Sequence, residues 1–101
     1  MVTDDENAHR QQLADVRTAI DEIDAEMVAL IARRERLVRI AGTLKEDAAA
    51  VRSPERIEQV ISTVRSLAAE SKISPEVVEA TYRSMIEAFI ELELKVQRSS
   101  F

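Results

Sequence analysis

A heptad pattern in the first half of the chain constrains its fold most. Apolar residues recur alternately every three and four positions from Leu13 to Leu44, and Arg34 takes the one seam position that lacks an apolar side chain. This spacing is typical of a helix that packs along a second helix. No proline and only Gly42 interrupt it, so the sequence predicts one helix over about residues 6–46, roughly 60 Å long. A lone 101-residue domain cannot bury such a helix, which favours a second subunit. The apolar seam residues are Leu13, Val16, Ile20, Ile23, Met27, Leu30, Leu37, Ala41 and Leu44.

Two more helices are predicted after the long one. Ser53-Pro54 and Ser74-Pro75 each place an N-cap residue before a proline that suits the first helical position. Apolar stripes with helical spacing follow, to about residue 70 and to about residue 98. Aromatic residues are only 3% of the chain, and it holds a single glycine, so strands and tight turns are poorly supported. We therefore expect an all-α fold, a three-helix protomer over residues 11–98 preceded by a flexible N-terminus at residues 1–10.

The amino-acid composition limits the kinds of functional site and partner that are expected. The chain has no cysteine and one histidine, His9, so disulfides, thiol nucleophiles and cysteine- or histidine-based metal sites are not expected. The acidic N-terminus does not resemble a signal peptide, and no apolar run approaches the ~20 residues of a membrane span, which predicts a cytoplasmic protein without membrane contact. A net charge of −5 disfavours nucleic acid as a partner.

Several charged residues lie where a core is expected. Arg34 is in the seam, and Lys45, eleven residues or three turns later, projects from nearly the same face. Arg17 precedes Arg34 by seventeen residues, about 25 Å, so it could join the same site only from a partner chain. Glu93 leans toward the apolar side of the third helix, and Arg56 opens the second. Buried charges need partners, so these residues indicate either structural ion pairs or an anion site inside a helical bundle.

The segments LADVRTAIDEIDAEMVALIARRERLVRIAGTLK, SPERIEQVI and SPEVVEATYRSMIEAFIELE together resemble the type II, all-helical chorismate mutase family, over residue 13 to about residue 97. The resemblance implies an intertwined helical homodimer with two equivalent sites, in which Arg17 reaches into the partner's site. It also implies the pericyclic conversion of a dianionic substrate, chorismate, to prephenate. That reaction needs no metal, cofactor or nucleophile.

The resemblance also implies roles for individual residues. Arg17 and Arg34 would clamp carboxylates, and Lys45 would bind a carboxylate and the ether oxygen. Glu93 stands where the family usually has Gln and could donate to the ether oxygen only when protonated, which predicts a reaction favoured at acidic pH. Lys45, Glu93 and Arg34 are the predicted catalytic residues. The predicted substrate-binding positions are Arg17, Arg34, Lys45, Ser53, Arg56, Ile57, Phe89 and Glu93.

Two positions depart from the family pattern and leave alternatives open. Many members carry an acidic residue directly after the arginine matching Arg56, and a nearby Asp, to bind the ring hydroxyl; this chain has Ile57 and Ser53 there. An aliphatic residue after that arginine also occurs in the related isochorismate pyruvate lyases. The 4-amino-4-deoxychorismate mutases combine one with Glu at the position of Glu93. A helical dimerisation module without catalysis is the alternative from another class, but a plain coiled coil gives no reason for Arg34 in the seam.

Overall fold

The computed structural model describes residues 3–99, and within that range it contains helices and no strand. The helices are α1 (Asp4–Leu44), α2 (Ala48–Val51), α3 (Pro54–Glu70) and α4 (Pro75–Ser99). The predicted all-α class with one very long first helix is confirmed. α2 is a single additional turn in the linker, where the sequence pattern predicts no helix. α1 begins inside the stretch 1–10 that the sequence predicts to be flexible, and residues 1 and 2 lie outside the described range.

A capping box explains where α1 begins. The Glu6 amide donates to the Thr3 hydroxyl oxygen at 3.1 Å, and the Thr3 amide donates to Glu6 Oε2 at 3.4 Å. The first turn also carries the acidic residues Asp4 and Asp5, which suit the positive end of a helix dipole. Local signals thus fix the start of this helix.

The chain divides into two units, residues 1–34 and residues 35–101. In the first unit every described residue from 3 to 33 is exposed. Its six apolar seam residues keep between 46% (Met27) and 57% (Leu30) of their surface accessible. The predicted helix is therefore present, and its apolar stripe is not covered within the chain.

The second unit is held together by packing between helices. α4 packs against both α2 and α3. Its core cluster consists of Val51 from α2, Ile61 from α3, and Ile86 and Ile90 from α4. α2 contributes because Asp47 caps it, with Asp47 Oδ1 accepting from the Ala50 amide at 2.8 Å. The linker, which lacks helical patterning in the sequence, thereby supplies a core residue.

Capping interactions define both ends of α3. At its start the Ser53 hydroxyl oxygen accepts from the Arg56 amide at 3.3 Å, and Pro54 occupies the first turn. At its end the Ile73 amide bonds to the Ala68 carbonyl at 3.0 Å and the Lys72 amide to the Ala69 carbonyl at 3.2 Å, the pattern of a Schellman motif. Lys72 adopts the left-handed conformation that this motif requires, with φ 58°.

An ion-pair network joins the outer faces of α3 and α4. Glu79 accepts from Arg65 and from Arg83, each at 2.8 Å, and Arg83 also donates to Glu58 at 3.0 Å. The hydrogen bond from Arg83, helped by Arg65, holds the pKa of the Glu79 carboxyl below its usual range. Glu58 and Glu79 in turn raise the pKa of Arg83.

Candidate functional site

The centre of the candidate site is an ion pair between Lys45 and Glu93, which lie 48 residues apart in the sequence. Lys45 Nζ donates to Glu93 Oε2. The Glu93 side chain is only 9% exposed and the Lys45 side chain 29%, so the pair is partly buried and its carboxyl partner is the more buried of the two. The sequence left open whether its misplaced charges form structural ion pairs or an anion site, and the structure contains an ion pair of Lys45 with Glu93.

The two residues meet because the last turn of α1 approaches α4 closely. Gly42 is buried there, and a Cβ placed on it would lie 3.6 Å from Glu93 Cγ and 3.7 Å from Glu93 Cα. These are ordinary van der Waals distances, so a methyl group at position 42 would just touch Glu93. The backbones of α1 and α4 are therefore close together at this point. Lys45 follows three residues after Gly42 and directly after the last residue of α1, where its side chain can extend along α4 to Glu93.

A second buried polar residue, Gln97, contacts the same lysine. Its Nε2 donates to the backbone carbonyl of Lys45 at 3.1 Å. Gln97 follows Glu93 by one helical turn, and these two are the buried polar side chains among the described residues. α4 therefore contacts Lys45 at both ends, the ammonium through Glu93 and the carbonyl through Gln97.

Sequence reasoning missed Gln97. The signal that could have found it is its spacing of four residues from Glu93, which places both on the same apolar-leaning face of one helix. A residue that binds backbone leaves no chemical signature in a sequence.

The other predicted residues of the second unit have different surroundings. Ser53 accepts from the Arg56 amide as the N-cap of α3. The Arg56 guanidinium is exposed and donates to Gln59 Oε1 at 2.7 Å. Ile57 is half-buried and packs against the core cluster, and Phe89 is buried at 9% exposure on α4. The hydrogen bonds of Ser53 and Arg56 thus lie within the first turns of α3.

The two remaining arginines belong to the first unit. Arg17 is fully exposed, and Arg34 is half-buried where that unit ends. Both lie on α1, seventeen residues apart, which is about 25 Å along the helix axis. One small molecule cannot contact both within a single copy of this helix.

The site offers a cation and, beside it, a largely buried carboxyl group. This set can bind a carboxylate or an ether oxygen and can stabilise charge that develops there. Within residues 3–99, no three His, Asp or Glu side chains are placed to hold a metal ion. Over the same range, no helix is both long and apolar enough to span a membrane.

Comparison with known proteins decides the family. Residues 16–94 match the family described as chorismate mutase type II, which is well over half of the chain. The chain belongs to the type II chorismate mutase family. A curated relative, the isochorismate pyruvate lyase of Pseudomonas aeruginosa, is 32% identical over 88 residues, covering 87% of this chain and 87% of the relative.

Membership of the type II chorismate mutase family gives the Lys45–Glu93 pair a chemical context. The family description implies an enzyme with a small-molecule substrate. The matched range 16–94 contains Arg17 near its start and Glu93 near its end, so every predicted site residue lies within the family domain. Gln97 lies three residues beyond it.

Proposed function

We propose that this chain is a chorismate mutase that rearranges chorismate to prephenate. The observation that carries the proposal is the partly buried contact between Lys45 and Glu93 in a chain of the type II chorismate mutase family. In the rearrangement the ether C–O bond breaks as a new C–C bond forms, and negative charge grows on the ether oxygen. A cation and a hydrogen-bond donor beside that oxygen stabilise this charge.

Lys45 and Glu93 divide this work. The Lys45 ammonium binds a substrate carboxylate and donates to the ether oxygen, which stabilises the transition state more than the ground state. Glu93 donates to the same oxygen from its protonated form. The reaction also requires that the enolpyruvyl group be held over the ring, so that the reacting carbons are already close.

Glu93 must change partner during this cycle. Without substrate its carboxylate accepts from Lys45. A dianionic substrate competes for the same ammonium, so the ion pair must open as the substrate binds. Because a carboxyl group can donate only when it is protonated, affinity and rate should rise as the pH falls, for as long as the fold persists.

The two arginines of α1 complete the site in a homodimer. Arg34 binds one carboxylate in the site of its own chain, and Arg17 reaches the site of the partner chain. The uncovered apolar seam on α1 supports this part of the proposal, since a helix with six seam residues about half exposed needs a cover of matching pattern. A second copy of α1 has that pattern.

The experiment that tests the function is product analysis. The purified protein is incubated separately with chorismate and with isochorismate, at acidic and at neutral pH, and the products are separated by chromatography. We expect prephenate from chorismate, formed faster at acidic pH. In Glu93→Gln, whose amide donates without a proton, the rate should lose this pH dependence. A Glu93→Gln rate that falls just as steeply toward high pH contradicts the role of Glu93.

Isochorismate pyruvate lyase activity is the second candidate, and two observations favour it. The curated relative carries that name. Ile57, half-buried against the core cluster, also offers no hydrogen bond to a ring hydroxyl at the position where many mutases use an acidic residue. Pyruvate plus salicylate from isochorismate, with little prephenate from chorismate, would replace the first proposal by this one. No turnover of either substrate would favour an amino-substituted substrate or a dimerisation module.

A further inference from the structure

We propose that Gln97 is a positioning residue that holds Lys45 in place for catalysis. This inference rests on the proposed function of the Lys45–Glu93 pair and adds a residue to which no role has been assigned. The juxtaposition that carries it is the two-point contact of α4 with one lysine. Glu93 binds the ammonium, and Gln97, one turn later, binds the backbone carbonyl.

Lys45 needs such support because of where it lies. It is the first residue after α1, and its amide still donates to the Ala41 carbonyl at 3.1 Å. Its own carbonyl lies among the last carbonyls of the helix, which have no partner within the helix. The Gln97 amide supplies that partner from α4 at 3.1 Å. The contact fixes the backbone from which a long and flexible side chain extends.

The contact becomes more important once a substrate arrives. A substrate carboxylate draws the Lys45 ammonium away from Glu93, so one of the two contacts with α4 is exchanged for the ligand. The bond from Gln97 to the backbone carbonyl does not involve the ammonium and can persist through the exchange. It then holds the backbone of Lys45 in place while the ammonium binds the substrate. A displacement of about 1 Å at a catalytic group can cost ~100-fold in rate.

Gln97 is also poorly explained as a packing residue. It is buried to 8% exposure near the C-terminal end of α4, where an apolar side chain would fill the same space without a polar group to satisfy. Its hydrogen bond spans 52 residues of sequence to one particular carbonyl. A role through Lys45 accounts for both features.

The test is a double-mutant cycle on kcat/KM with Gln97→Met and Lys45→Met. Methionine keeps much of the volume of glutamine and removes the donor. Lys45→Met removes the ammonium and keeps the carbonyl that Gln97 binds, so any purely structural effect of Gln97 survives in that background. We expect Gln97→Met to lower kcat/KM about 10-fold or more in the wild-type background and to have little further effect beside Lys45→Met.

A matched control is Gln11→Met. Gln11 also donates through Nε2, at 2.9 Å to Asp15, but on an exposed surface of α1. This variant should leave kcat/KM unchanged. Should Gln97→Met fail to fold, as judged by circular dichroism, Gln97→Leu carries the same cycle with a shorter apolar side chain that also lacks the donor. If Lys45→Met is too slow to assay, the cycle is completed on the calorimetric Kd for prephenate.

The outcomes separate the two proposals. An equal loss in both backgrounds, or no loss at all, overturns the role of Gln97 while the wild-type turnover still supports the mutase. Absence of wild-type turnover on chorismate and isochorismate overturns the proposed function and this inference with it. A loss confined to the background that contains Lys45 supports the positioning role.

Discussion

The first thirty residues of α1 and the second half of α4 carry the same kind of pattern and reach opposite results. Both have apolar residues three and four positions apart. On α4 this stripe is buried, with Ile90 at 5% and Phe89 at 9% exposure. On α1 the corresponding stripe is open, with Ile23 at 54%. An apolar stripe therefore predicts that a helix packs, but not whether its partner belongs to the same chain.

The apolar stripes of α1 and α4 also differ in how the polar residues within them are placed. Glu93 and Gln97 interrupt the stripe of α4, and both are buried because the end of α1 supplies their partner, Lys45. On α1 the interruption is Arg34, at the point where the exposed stretch ends. The buried polar groups of the packed region thus find their partner within the chain, whereas we propose that the exposed apolar stripe of α1 is covered by a second copy.

The largest effect is expected from a charge in the open seam. Ile23→Asp should convert the proposed homodimer into monomers, or into unfolded chains, because a carboxylate would be buried without a partner along the proposed α1 contact. Sedimentation equilibrium on the variant and the wild type measures this. Ala25→Asp, also on α1 but off the seam, is the control and should leave the dimer intact.

A wild-type protein that sediments as a monomer would contradict the comparison, because no second copy would then cover the exposed apolar stripe of α1.

If the protein is a dimer, mixing two variants can show whether each site contains residues from both chains. Arg17→Ala chains mixed in equal amount with Lys45→Ala chains should recover about a quarter of the wild-type activity. About half of the dimers are then mixed, and one of the two sites in each mixed dimer is intact. No recovery on mixing would place Arg17 outside the partner's site.

A smaller effect is expected inside the packed unit, at the left-handed residue that ends α3. Lys72→Gly should stabilise the protein by about 1 kcal/mol, because glycine adopts a positive φ without the steric cost that a Cβ brings. Lys72→Ala removes the same charge and keeps the Cβ, so it serves as the control and should not stabilise. Urea unfolding measures the free energy of unfolding, and the gain for Lys72→Gly should be the same at two protein concentrations. An equal gain for Lys72→Ala would show that the lost charge, and not the backbone conformation, causes the stabilisation.

The smallest effect concerns the ion pairs on the surface of the packed unit. Because the folded state lowers the pKa of Glu79, its ionised carboxyl contributes stability at neutral pH, and that contribution is lost as the pH falls through the folded pKa. Glu79→Gln should therefore lower Tm slightly at pH 7 and have little effect below about pH 3. Glu87→Gln, exposed on the same helix, is the control. A Tm difference that persists unchanged in acid would rule out a contribution from the ionised group.

Much of the fold could be predicted because its signals are local. Ser53-Pro54 and Ser74-Pro75 mark the starts of α3 and α4 through capping chemistry that depends on neighbouring residues alone. The seam from Leu13 onward marks α1 through its period. α2 could not be predicted, since a single turn of AAAV is stable only through the Asp47 cap and the burial of Val51.

The candidate site divides in the same way. The sequence by itself determined which residues are anomalous, because Arg34 and Glu93 stand at positions where an apolar side chain is expected, and it determined the family resemblance through the spacing of Arg17, Arg34 and Lys45. Only the tertiary structure decided that Lys45 is the partner of Glu93 and that Gln97 holds its carbonyl. Contacts across about fifty residues depend on how helices approach one another, and neither period nor capping encodes that approach.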